Sequence, residues 1–81
     1  MYLNIGQNVI LSQEGILGIF DLDTSTGSHL TRKFLREAEK AGNIENAAED
    51  LPKSFVVCKE KNRNVVYLSQ MATATLAKRL Q

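Results

Sequence analysis

Residues 55–68 read Phe-Val-Val-Cys-Lys-Glu-Lys-Asn-Arg-Asn-Val-Val-Tyr-Leu. Two runs rich in β-branched and aromatic residues, 55–58 and 65–68, flank Lys61-Asn62-Arg63-Asn64, whose composition is that of a hairpin turn. This pair carries the strongest strand signal in the chain, with Pro52 just ahead of it. Upstream, Tyr2, Leu3 and Ile5 open a strand, and Gly6-Gln7-Asn8 signals a turn. Val9-Ile10-Leu11 forms the next strand, and residues 16–20 a third, weakened by Gly18. The tight turns between them predict antiparallel neighbours.

Helical periodicity appears twice. Across residues 29–41, Leu30, Phe34, Leu35, Ala38 and Ala41 fit one face of a helix. Thr26 and Ser28 are good N-cap choices before it, and Gly42 is a natural residue to end it. Across residues 72–80, Ala72, Leu76, Ala77 and Leu80 predict a short terminal helix, with Lys78 and Arg79 where the helix dipole favours cations. Residues 21–28 and 43–54 read as polar loops. The expected fold is α+β: a small antiparallel sheet, one central amphipathic helix and a short C-terminal helix.

At 81 residues and 9.0 kDa the chain makes one small domain, residues 1–81. Surface scaling gives roughly 4,900 Å² folded against roughly 13,000 Å² unfolded, so the core is thin. One cysteine, Cys58, permits no internal disulfide, and one histidine, His29, permits no multi-histidine metal site. Neither a metal nor a cofactor is expected. Self-association is the remaining way to add buried surface. The first basic residue is Arg32 and no apolar stretch approaches 18 residues, so neither a secretory signal nor a membrane span is expected. A thiol kept free points to the cytoplasm.

Catalytic motifs fail on their own requirements. Asp21-Leu22-Asp23-Thr24 after an apolar strand is similar to the first motif of haloacid-dehalogenase-type phosphatases. That chemistry needs a doubly wound sheet, which this length cannot supply. Asp21, Asp23 and Ser25 match the start of a calcium loop, but Thr26 stands where glycine is needed and Arg32 where a bidentate glutamate is needed. His29 has no nucleophile fixed beside it, and no phosphate-binding glycine loop is present. No catalytic residue is assigned.

Charge is almost balanced, with ten basic and nine acidic side chains and a net charge of +1. A monomer so composed is a poor non-specific binder of nucleic acid. The basic residues are nonetheless segregated: Arg32, Arg36 and Lys40 recur every fourth residue on the central helix, with Lys33 alongside. Glu37 and Glu39 dilute the stripe, which in a lone monomer reads as a solvated face. Repeated in an oligomer it becomes a basic track.

The whole chain resembles the RemA/RemB-like family of bacterial extracellular-matrix regulators, most closely its RemB branch. The resemblance rests on Asn4-Ile5-Gly6, residues 16–21, Leu51-Pro52-Lys53-Ser54-Phe55-Val56-Val57, Tyr67-Leu68-Ser69 and Thr75-Leu76-Ala77-Lys78-Arg79-Leu80, in the family's order. It implies a domain similar to LytTR-type DNA-binding domains, assembly into a ring, and control of matrix and biofilm genes. Arg32 and Lys33 match basic positions on the family's helix. Where the RemA branch carries an arginine after the second strand, this chain has Gly15, preceded by Glu14. Where that branch carries an arginine pair, this chain has Leu51-Pro52, followed by Lys53. Two functions follow as expectations. One is a ring-like homo-oligomer that contacts double-stranded DNA through Arg32, Lys33, Arg36, Lys40 and Lys53. The other is a protein-interaction module that co-assembles with a RemA-type subunit, through residues 21–28 or 47–53.

Overall fold

The computed structural model describes residues 1–25 and 27–80. In chain order the elements are β1 (Tyr2–Gly6), β2 (Val9–Ser12), a 3-10 turn (Gln13–Gly15), β3 (Ile16–Asp21), α1 (Leu22–Ser25), α2 (His29–Lys40), β4 (Ile44–Asn46), β5 (Ser54–Glu60), β6 (Arg63–Ser69) and α3 (Thr73–Arg79). The architecture is α+β. A two-stranded antiparallel sheet, β1-β2, accompanies a four-stranded mixed sheet ordered β3-β5-β6-β4.

The β5–β6 hairpin anchors the larger sheet, with Val57 opposite Val66 and Glu60 opposite Arg63. Its turn is tighter than the composition implied. Only Lys61 and Asn62 lie outside the strands, and Lys61 takes a left-handed φ of 56°. The β1–β2 turn is built likewise on Gln7 and Asn8, at φ 51° and 61°, which matches the twist of the flanking strands.

Residues 54–58 are buried without alternation because both faces of the sheet are covered. On one face Val56 and Cys58 pack with Leu3, Ile5 and Leu11 of the β1–β2 hairpin and Leu76 of α3. On the other, Phe55, Val57 and Val66 meet Leu35 and Ala38 of α2 and Ile44 of β4. Buried serines join the layers. Ser69 Oγ donates to Ile5 O at 2.7 Å, and Ser54 Oγ donates to Met71 O at 2.8 Å.

Three expectations needed correction. First, β2 does not neighbour β3: the 3-10 turn carries the chain to the second sheet, where β3 pairs antiparallel with β5. Second, the 43–54 segment is not all loop. Ile44–Asn46 adds a parallel strand to β6, supported by Val66 N donating to Asn43 O at 2.8 Å. The sheet is therefore mixed. Third, the 21–28 segment contains a helical turn, whose first amides donate to Asp21 Oδ1 from Asp23 N at 2.8 Å and Thr24 N at 3.3 Å. The capping role expected of Thr26 lies outside the described residues.

Candidate nucleic-acid interface

The ends of α2 are set by local chemistry. Ser28 caps its start, its hydroxyl accepting from Thr31 N at 3.4 Å. At its end Gly42 takes a φ of 74°, with Gly42 N donating to Glu39 O at 3.0 Å and Asn43 N to Ala38 O at 2.8 Å. This is a Schellman closure, and glycine supplies the left-handed residue that it requires.

These ends fix the rotation of the helix. At about 100° per residue, Leu35 and Ala38 share one side, and Arg36, Lys40 and Lys33 fall on the opposite one, with Arg32 at its margin. Since Leu35 and Ala38 pack on the sheet, the cationic stripe faces away from it. Arg32, Lys33, Arg36 and Lys40 are all exposed, and the stripe from Arg32 to Lys40 runs about 12 Å along the axis.

Lys53 is exposed just before β5 and not on α2. Its carbonyl accepts from Leu22 N and its own N–H donates to Ser69 O, so it marks the end of the sheet where the chain leaves β3 toward α2. The other end of α2 approaches a cation that periodicity missed. Arg63 Nη1 donates to Asn43 Oδ1 at 2.9 Å, which places Arg63 next to the turn that follows Lys40. In the sequence Arg63 looked like a turn residue, and only the parallel β4 strand draws it toward the helix.

The apolar face of α2 differs from its expected burial. Leu35 and Ala38 are half-buried, but Leu30 is 75% exposed, Phe34 38% exposed, and Ala41 exposed. The helix contains no fully buried residue.

The remaining polar candidates have structural positions. Asp21 caps α1. His29 is the exposed first residue of α2. Cys58 is buried, and its thiol is pushed up to about 11, chiefly by burial and secondly by the nearby Glu60 carboxylate. Tyr67 donates its hydroxyl to Glu60, and burial together with that bond holds its phenol above the ordinary range. Gly15 lies half-buried in the 3-10 turn, where a Cβ would come 3.2 Å from Lys59 O. Leu51 is 80% exposed in the loop before β5. These two positions present no cation. No helix among the described residues is long and apolar enough to cross a membrane.

The fold is an α+β domain whose larger sheet lies between a β-hairpin and a helix with an exposed basic side. A family model described as RemA-like, extracellular matrix regulatory protein A-like, matches residues 2–80. Over 81 residues the chain is 30% identical to extracellular matrix regulatory protein B of Bacillus subtilis (strain 168), covering all of this chain and 91% of that protein. The chain belongs to the RemA-like family of extracellular matrix regulatory proteins.

Proposed function

We propose that this protein is a non-enzymatic, cytoplasmic regulator of extracellular-matrix gene transcription that works as a ring-like homo-oligomer bound to double-stranded DNA. The observation that carries the reading is the α2 stripe of four exposed cations, with Lys33, Arg36 and Lys40 on the side of the helix turned away from the sheet and Arg32 at its margin. Successive residues of the Arg32, Arg36, Lys40 series stand about 6 Å apart along the axis, close to two phosphate steps of one strand at roughly 3.4 Å each. One stripe is a weak ligand. Several held in fixed relation act together, because each contact after the first is made at high effective concentration. The net charge of +1 does not oppose this, because most of the acidic side chains lie outside α2. A gel shift at low salt tests the reading with the assembled protein. Retention of duplex DNA is expected, and no retention would overturn it.

A second reading is favoured by one observation. Gly15 and the exposed Leu51 offer no arginine, and Leu51 offers an apolar contact instead. On that reading the chain co-assembles with a RemA-type subunit through its 47–53 loop and leaves DNA contact to its partner. Capture of a RemA-type protein, without DNA retention by this chain alone, would favour it.

A further inference from the structure

The larger sheet is covered unevenly on its α2 side. Between β3, an edge strand, and the first half of α2 lies an open apolar groove of about 320 Å³. Leu17, Phe20, Leu30 and Phe34 line it and are 60%, 43%, 75% and 38% exposed. Its floor is aromatic: the rings of Phe20 and Phe55 stack with centroids 5.0 Å apart. Gly18 makes room for that arrangement, since a Cβ there would meet the Phe20 ring at 2.7 Å.

A second apolar patch lies across the sheet. Leu3, Ile5 and Leu11 of the β1–β2 hairpin point into the core, which leaves Tyr2 and Ile10 outward, 75% and 59% exposed. Tyr2 pairs with Ser12 and Asn4 with Ile10, so Tyr2 and Ile10 are diagonal neighbours forming one knob, with Met1 beside it. The total accessible surface is 5435 Å², above the roughly 4,900 Å² expected for a closed monomer of this mass.

We infer that the groove between β3 and α2 is the seat for the β1–β2 hairpin of a second copy of this chain, with Tyr2 and Ile10 entering beside Leu30 and Phe34. The inference rests on the self-assembly in the proposed function and names the surfaces that perform it. Each patch offers on the order of 350 Å² of apolar side chain, counting a large aromatic at roughly 150–250 Å². A standard interface takes about 800 Å² from each partner, a little over half of it apolar, so the two patches are matched to one interface core. Groove and knob lie on opposite sides of the sheet, so no subunit fills its own groove. A subunit that gives its hairpin to one neighbour receives a hairpin from another. Such a head-to-tail contact closes into a ring when the rotation permits. It also leaves Arg36 and Lys40 uncovered, since they lie on the side of α2 away from the sheet.

Two exposed positions give the test. Ile10→Glu spoils the knob and Leu30→Glu the groove, and the full-length proteins are compared by sedimentation velocity with circular dichroism as the check on folding. The wild type is expected to assemble and each variant to sediment as a 9.0 kDa monomer. An equimolar mixture of the two is expected to form a dimer, because one sound groove and one sound knob remain. Assembly of Ile10→Glu like the wild type, with Leu30→Glu monomeric, would show groove-to-groove pairing and overturn the inference while leaving self-assembly intact. Assembly of both variants like the wild type would give the groove another occupant and also overturn it. A monomeric wild type would overturn the inference and the self-assembly reading together. DNA retention is measured separately and is not the readout here. Should either variant fail to fold, Tyr2→Glu and Leu17→Glu address the same surfaces with the same expected masses.

Discussion

Replacing Arg36 with alanine should weaken DNA retention at low salt and flatten its salt dependence without harming the fold. Arg36 is exposed on α2, and alanine is the best helix former, so the substitution removes a cation and little else. Each phosphate neutralised contributes about 0.9 to the slope of log K against log salt. Two neighbouring subunits in contact with one duplex would therefore lose a slope of about 1.8 between them. Fluorescence anisotropy of a labelled duplex, titrated between roughly 50 and 200 mM salt, reads that slope directly. Glu39→Ala is the companion. Glu39 borders the stripe, and its removal should raise affinity and leave the slope's origin in the arginines and lysines unchanged. A normally folded and assembled Arg36→Ala protein whose slope equals the wild type's would refute the assignment of α2 to the phosphates.

Further expectations concern the fold that presents the stripe. Leu76, fully buried among Leu3, Ile5 and Val56, should cost about 2–5 kcal/mol on change to alanine, whereas the exposed Leu51 should cost less than about 0.5 kcal/mol. At roughly 4–8 °C of midpoint per kcal/mol, thermal melting separates the two readily. Ser69→Ala strands the Ile5 carbonyl and the Met71 amide, both bonded to the buried hydroxyl, and urea unfolding should show a loss of about 1–3 kcal/mol. Alkaline pH should destabilise the protein. Burial raises the Cys58 thiol from its ordinary 9.0 to about 11, so the folded state keeps a proton that the unfolded chain releases. The associated stability is present below pH 9 and falls as pH rises through 11, and Tyr67 acts in the same direction. Urea midpoints that rise across that window would contradict this, and Cys58→Ala should flatten the fall.

The parts of this fold visible in the sequence are those with local causes. The β5 and β6 runs, the β1–β2 turn, Ser28 and Gly42 each announce an element through their own side chains, and all stand where expected. The parts hidden in it have distant causes. Ile44–Asn46 holds one apolar residue in three and becomes a strand only because β6 offers it an edge. The helical turn after Asp21 is too short for periodicity to register. The cationic side of α2 was legible because an exposed face needs no partner to be recognised. The apolar side was not, since spacing shows which residues share a face but not how far a sheet extends beneath them. Leu30 and Phe34 therefore looked like core and line an open groove instead. Arg63 was missed because β4 is what brings it toward α2.

The most direct test of the whole account is a cryo-electron microscopy structure of the assembled oligomer. A closed ring is expected in which Arg32, Lys33, Arg36 and Lys40 of successive subunits lie on one solvent-facing surface, forming a continuous basic track. An assembly that buries the cationic side of α2 between subunits would contradict it.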